Sequence, residues 1–290
     1  MNKLTNRTKG ILWIIFSAFG FAVMSAFIKL SGDLPSFQKT FFRNLVACLV
    51  AAYFIIKNNG SFFGKKENQK TLILRSTLGT LGIILNFYAI DHLVLSDSNM
   101  LNKLSPFFTI IFSALFLKEK INKNQIIALI IAFLGALLII KPSFTIEVFP
   151  YLIGVLGAIF AAGAYTCVRV LGNKESHYTV VFYFSLFSLI IVLPFMIIVY
   201  KPMSLLQLIY LTLAGIFASI GQFGITLAYK YAAAREISIF DYSNIIFSAI
   251  LSLILFNKIA DYISIIGYFI IFIAAYYMFQ YNKKLDKLNN

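Results

Sequence analysis

The sequence predicts an all-α integral membrane protein with ten transmembrane helices arranged as two inverted five-helix repeats. Three observations carry that expectation: composition, ten apolar runs of membrane-crossing length, and a faint self-similarity between the two halves. Of the 290 residues, 60% are hydrophobic and only 12% are charged, with a mean hydropathy of +0.85. A soluble fold covers its surface with roughly 25% charged residues, so a soluble enzyme is excluded. The formal charge of +14 does not point to nucleic acid, because the basic residues sit between apolar runs and are not gathered on one solvated face.

A helix needs about 20 mostly apolar residues to cross the hydrocarbon core. Such runs lie at 10–31, 36–57, 71–91, 95–118, 123–141, 149–170, 178–200, 204–230, 234–257 and 262–281. The connecting loops are too short for a separate soluble domain, so whatever the protein does is done inside the bundle. The first run is longer than the apolar core of a signal peptide and has no small-residue cleavage site, so it is kept as the first span. Cys48 and Cys167 lie in apolar runs without CxxC or histidine spacing, and read as packing residues.

Lysine and arginine in short loops are retained on the cytoplasmic side. With the N-terminus inside, sixteen of the 25 basic residues fall on inner segments, among them Lys57, Lys65, Lys66, Lys70, Lys174 and Lys283. Only Lys29, Lys39, Lys141, Lys201 and Lys258 fall outside, and Arg43, Arg75, Lys103 and Arg169 lie within or at the edge of spans. Both chain ends are therefore expected on the cytoplasmic face of a bacterial-type inner membrane, and the positive charge reads as topology.

Shifting the chain by 140 residues places Ala18, Ala22 and Ala26 on Ala158, Ala162 and Thr166, and Lys29 on Arg169. A shift of 139 places Asp97 on Glu236, Phe108 on Phe247, Ser113 on Ser252 and Phe133 on Phe272. A nearly constant shift over five spans implies a first repeat at 1–141, a second at 149–281 and a basic cytoplasmic tail at 282–290. Five is odd, so the second half enters the membrane from the opposite side. Inverted repeats recur in secondary transporters, with the substrate site near the midplane where the halves meet.

Polar groups within spans are costly, about 2.5–3.5 kcal/mol for a charge at the centre, and should face a cavity. At 100° per residue, Asn99, Asn102, Lys103, Pro106 and Ser113 form one stripe of the fourth span, and Ser238, Asp241, Asn244, Ser248 and Ser252 form one stripe of the ninth. These are the densest polar faces in the chain and the expected walls of a substrate pathway. Lys103 and Asp241 each lie about 10 Å inside their helix starts, at 1.5 Å per residue, on helices of opposite direction. A Lys103–Asp241 pair, direct or bridged by substrate, is the sharpest expectation; the alternative is two snorkelling side chains that never meet.

The third span carries Arg75, Gly79, Gly82 and Asn86 on one face, and the eighth carries Thr212, Gly215, Ser219, Gln222, Thr226 and Tyr229. The small residues suit close helix packing, whereas the amides of Asn86 and Gln222 need both donor and acceptor partners and are better ligand candidates. Tyr165 and Arg169 on the sixth span, with Ser17 and Phe21 on the first, are further candidates to line the cavity. Of five arginines, Arg43 is the deepest; it is placed to bind an anionic group of substrate or to lock the second span to a neighbour. Asp241, Asp97 and Glu236 are the candidates to carry a coupling proton.

These residues resemble the EamA branch of the drug/metabolite transporter superfamily. The matching pieces are SFQKTFFRN at 36–44, LNFYAI at 85–90, LSPFFTIIFSALFLKEK at 104–120 with Pro106 and Glu119, and FLGALLIIKP at 133–142. In the second half Lys258 aligns with Glu119, and Ile245 stands where the family has a proline. The SF…FFR segment and ILRSTLG at 73–79 look most like the subgroup that contains S-adenosylmethionine transporters. The family moves amino acids, nucleotide-like metabolites, amines and drugs, so the resemblance implies a transporter without naming its substrate; the leading expectation is a secondary transporter of a small polar or amphipathic organic metabolite, an amino acid or a derivative, S-adenosylmethionine-like compounds among them, working by alternating access with proton coupling or exchange. A multidrug or organic-cation exporter, a lipid-carrier flippase and a channel are the nearer alternatives. An intramembrane enzyme would need a clustered nucleophile, base or metal site, yet the two histidines, His92 and His177, lie near helix ends on opposite sides. No Walker A pattern occurs, so ATP is not the direct energy source. No cofactor, metal or nucleic-acid partner is expected. The expected partners are a small-molecule substrate and the bilayer, and a duplicated ten-helix chain suffices as a monomer.

Overall fold

The computed structural model describes residues 6–117, 122–140, 146–231 and 238–289. Among these the chain is helical, with α1 Asn6–Leu30, α2 Ser36–Lys57, α3 Gln69–His92, α4 Leu95–Asn102, α5 Ser105–Leu117, α6 Lys123–Ile140, α7 Phe149–Leu171, α8 His177–Ile198, α9 Leu205–Tyr231, α10 Ser243–Phe256 and α11 Tyr262–Asn289. Helices α4 and α5 together form the fourth span, and the 3-10 turn Ser238–Tyr242 followed by α10 forms the ninth, which gives ten spans. Helix α11 continues through the basic tail without a break.

The fourth span departs from the continuous helix the sequence suggests over 95–118. It ends at Asn102, turns at Lys103 and Leu104, and restarts at Ser105. Pro106 supplies the cause. It has no backbone N–H to donate into the preceding turn and is tolerated only in the first turn of a helix, so the new helix starts immediately before it. At the equivalent place in the ninth span Ile245 keeps its N–H, and the chain changes from 3-10 to α-helix at Tyr242–Ser243 without a full turn. The two irregular points meet, for the Tyr242 hydroxyl donates to the Lys103 carbonyl at 3.3 Å. Irregular backbone at membrane depth survives only where protein or a lined cavity satisfies it.

The packing has twofold logic. The first span lies along the eighth as the sixth lies along the third; first on ninth is matched by sixth on fourth, and second on eighth by seventh on third. The pairs two with seven, four with nine and five with ten map onto themselves. A twofold axis between the halves generates this set, and with five spans per half it inverts them.

Small residues make the contacts possible, because lipid supplies no hydrophobic drive between helices and close approach must do so. Ala18, Ala22, Ala26, Ala158, Ala162 and Thr166, the positions that align between the halves, are all buried. A side chain at Gly20 would put its Cβ 2.9 Å from the Gly221 backbone nitrogen, and one at Gly82 would meet Ala161 N at 3.2 Å and Gly157 O at 3.3 Å. The Ser17 hydroxyl seals the first of these crossings by donating to Gly221 O at 2.6 Å.

Candidate functional site

The crossing of the fourth and ninth spans brings together the two charges singled out in the sequence. Lys103 Nζ lies 2.5 Å from Asp241 Oδ2, with the side chains 15% and 22% exposed. Lys103 sits in the turn that breaks the fourth span and Asp241 in the 3-10 turn that opens the ninth. The second carboxylate oxygen, Asp241 Oδ1, is buried and accepts no hydrogen bond. Beside the pair, Asn102 Nδ2 donates to Asn86 Oδ1 at 3.2 Å, joining the fourth span to the third. Tyr165 interacts electrostatically with Asp241, Arg75 and Arg43 and is 54% exposed. These charged groups belong to the ninth, third and second spans.

A cavity of about 30 Å³ lies between the second, third, seventh and eighth spans, lined by Arg43, Arg75, Ser185, Ser219 and Gln222, with His177 and Tyr178 at the end near the α2–α3 loop. It has room for one or two waters. Gly79 leaves the space Arg75 needs, since a Cβ there would lie 3.0 Å from the Phe184 ring and 3.5 Å from Arg75 Nη1. In sequence Arg75 stands out as an arginine within a span and as the start of a polar stripe on the third span. Its proximity to Arg43 comes from the packing of the second and third spans, which no local pattern encodes.

Other candidates are committed elsewhere. Asn99 accepts from Ser25 Oγ at 3.2 Å and donates to Ser248 Oγ at 2.9 Å, tying the first, fourth and ninth spans together. Asn244 Nδ2 donates to Ala18 O at 2.8 Å in a buried contact. Asp97 is buried and takes a hydrogen bond from the Tyr268 hydroxyl, which also reaches Ser96 Oγ at 3.0 Å. It therefore contacts α11. Glu236 lies outside the described residues, as do the side chains of Pro106, Ser113, Arg169 and Ser238. Among the described residues no group of three or more His, Cys, Asp or Glu is placed to hold a metal ion.

The face that carries the α1–α2 turn is bridged by contacts between the halves. Gln38 donates to Lys201 O at 2.9 Å and accepts from Lys201 N at 3.1 Å, while Gln207 Nε2 donates to Ser31 O at 3.0 Å. Behind them the fully buried Lys39 pairs with Asp91 at 2.5 Å, and the Lys29 ammonium donates to the carbonyls of Ile90 and Leu93. On the opposite face Glu175 Oε1 accepts from Lys65 N and Asn68 Nδ2, both at 2.7 Å. Replacing Gln38 with Ala should orphan both backbone groups of Lys201, at about 1–3 kcal/mol for the buried part. Faster labelling of Ser31→Cys, a fully buried position at this turn, by an impermeant thiol reagent is the expected sign that this face opens more often.

A family model described as the EamA-like transporter family matches the chain twice, over residues 8–141 and 148–280. The chain belongs to the EamA-like transporter family. Among relatives of this EamA-like transporter, the pseudopaline exporter CntI of Pseudomonas aeruginosa (strain UCBPP-PA14) is 32% identical, over 92% of this chain and 94% of that one. Human solute carrier family 35 member G1 is 27% identical, over 89% of this chain and 75% of its own length. An uncharacterized transporter of Helicobacter pylori (strain ATCC 700392 / 26695) is also 27% identical, over 89% and 90%. A solved crystal structure with 15% identity superposes with a TM-score of 0.66, over 93% of this chain and 97% of that chain, which fixes the fold. The chain is thus a multi-pass membrane transporter of the drug/metabolite type and not an enzyme, and its substrate is a small molecule.

Proposed function

We propose that this transporter moves a small polar or amphipathic organic metabolite, an amino acid or a derivative of one, by alternating access through the space between its two inverted halves. The observation that carries the reading is the Lys103–Asp241 pair, held at the irregular points of the two spans that cross between the halves. Discontinuous helices at a repeat interface are where transporters of this architecture bind substrate. The pair is also a device that can be opened. A substrate ammonium can take the place of Lys103 at Asp241, and a substrate carboxylate can take the place of Asp241 at Lys103. Asn86, Asn102, Tyr165, Gln222 and Arg43 supply the remaining polar contacts, and Asn99 and Asn244 fix the helices that carry the pair.

The basic loops put the α2–α3 face toward the cytoplasm of a bacterial-type inner membrane, with both chain ends on that side. The contacts of Gln38 with Lys201 and of Gln207 with Ser31 then join the halves at the outer face, and the cavity that ends at His177 and Tyr178 approaches the inner one. In this reading the two sequence repeats, 1–141 and 149–281, rock against each other.

Asp241 is also the proposed site of proton coupling, because a proton on its carboxylate removes the charge that holds Lys103. Asp97 accepts instead from the Tyr268 hydroxyl on α11. In proteoliposomes, transport by Asp241→Asn should lose its response to an imposed pH gradient. An unchanged response would remove Asp241 from the coupling role and favour exchange of one metabolite for another.

A further inference from the structure

The ionic groups within the spans are not treated alike. Lys39 has Asp91, Lys103 has Asp241, and Lys29 has two main-chain carbonyls. The two arginines of the cavity have no carboxylate. Arg43 is 8% exposed and among the described residues makes one hydrogen bond, from Nη1 to Asn44 Oδ1 at 2.5 Å, leaving Nε without a partner there. Arg75 lies flat against Phe184, 3.9 Å from the ring centroid, with both Nε and Nη1 unpartnered. Their electrostatic neighbours are each other, Tyr165 and, for Arg75, Cys167, and the described lining of the cavity they share contains no Asp or Glu.

We propose that Arg43 and Arg75 form a carboxylate-binding subsite, so that the transported metabolite carries at least one carboxylate and presents it to this pair. Leaving buried guanidinium donors unpaired is expensive, and two like charges side by side add repulsion. An incoming carboxylate removes both costs at once. Arginine suits the task because its planar fork accepts a carboxylate in two parallel hydrogen bonds, a geometry an ammonium does not reproduce. The cavity holds only a head group, so the body of the substrate lies beyond it, in the space onto which Tyr165 opens. The Arg43–Asn44 hydrogen bond, continued from Asn44 Nδ2 to Ser188 Oγ at 2.7 Å, sets the guanidinium in place between the second and seventh spans.

This subsite rests on the transport reading above, and one experiment separates the two. Proteoliposomes of the full chain are loaded with unlabelled glutamate, succinate, citrate, S-adenosylmethionine, choline or adenosine, and counterflow of the labelled compound is followed. Methyl esters and inorganic phosphate are tested as competitors. The expected result is accumulation of one or more carboxylates, competed by other carboxylates and at least tenfold less by methyl esters or phosphate. Arg43→Gln and Arg75→Gln should each lower it at least tenfold, with Arg43→Lys and Arg75→Lys recovering only part. The thermal unfolding midpoint of the unliganded Lys variants should stay within a few degrees of the parent, separating binding from folding. Accumulation of choline or adenosine alone, indifferent to both arginines, overturns the subsite and leaves the transport reading standing. Accumulation competed equally by phosphate overturns the carboxylate assignment. If no compound accumulates, both readings fail.

Discussion

Lys103→Gln should reduce transport to background and Asp241→Asn should remove the part of it driven by a pH gradient, and each should destabilise the protein, by about 3–5 kcal/mol, because removing one member of a buried ion pair leaves the other uncompensated in low dielectric. The double variant should be more stable than the sum of the singles implies, since neither charge then remains to be desolvated. A double-mutant cycle on thermal stability in detergent reads this coupling directly. Transport gives a second, independent reading. The double variant should regain stability without regaining transport, because the opening and reforming of the pair is the proposed event and a neutral amide pair does not reproduce it. Recovery of transport together with stability would make the pair a structural clip.

The second large effect is expected at the helix crossings. Gly221→Val should prevent the first and eighth spans from meeting, because a Cβ at Gly221 already lies 2.9 Å from the Phe21 ring and the backbone of Gly221 faces Gly20 across the contact. Overpacking a close contact costs about 1–3 kcal/mol where neighbours can move, and more where the neighbour is backbone, as it is for Gly20→Val at the same crossing. Both variants should lose most of their membrane-inserted, monodisperse protein in size-exclusion chromatography. Gly60→Ala serves as the control, for its nearest neighbour would be a side-chain carbon at 3.6 Å, and it should behave as the parent.

These two effects also show what the sequence made legible. Apolar run length and loop charge are local properties, so the positions of the ten spans followed from counting, with ends shifted by up to about four residues, except that the last helix runs on through the polar tail to Asn289. Lys103 and Asp241 could be matched because each lies on a polar stripe at a similar depth, and the repeat puts them on opposing helices. The break at Lys103–Leu104 was not read from the stripe, although Pro106 signals it, because a periodic pattern continues across a turn when both halves face the same cavity. Asn99 and Asn244 look like ligand candidates in sequence, yet their partners, Ser25, Ser248 and the Ala18 carbonyl, lie on other spans. Buried amides that clip helices together and buried amides that hold a ligand have the same local pattern. The juxtaposition of Arg43 with Arg75 belongs to the same class of information, since it depends on how the second, third and seventh spans close on one another.

The account rests on a hydrated space between two inverted halves, and Tyr165 is the residue that reports on it most directly. In a background with the buried Cys48 and Cys167 replaced by alanine, Tyr165→Cys can be probed with a membrane-impermeant thiol reagent applied to either face of sealed vesicles. The expected result is rapid labelling from the cytoplasmic face and slow labelling from the outer face, where the Gln38 and Lys39 contacts stand in the way. Labelling from neither face until the protein is denatured would mean that the ring is enclosed by protein or lipid, and that no such pathway exists between the halves.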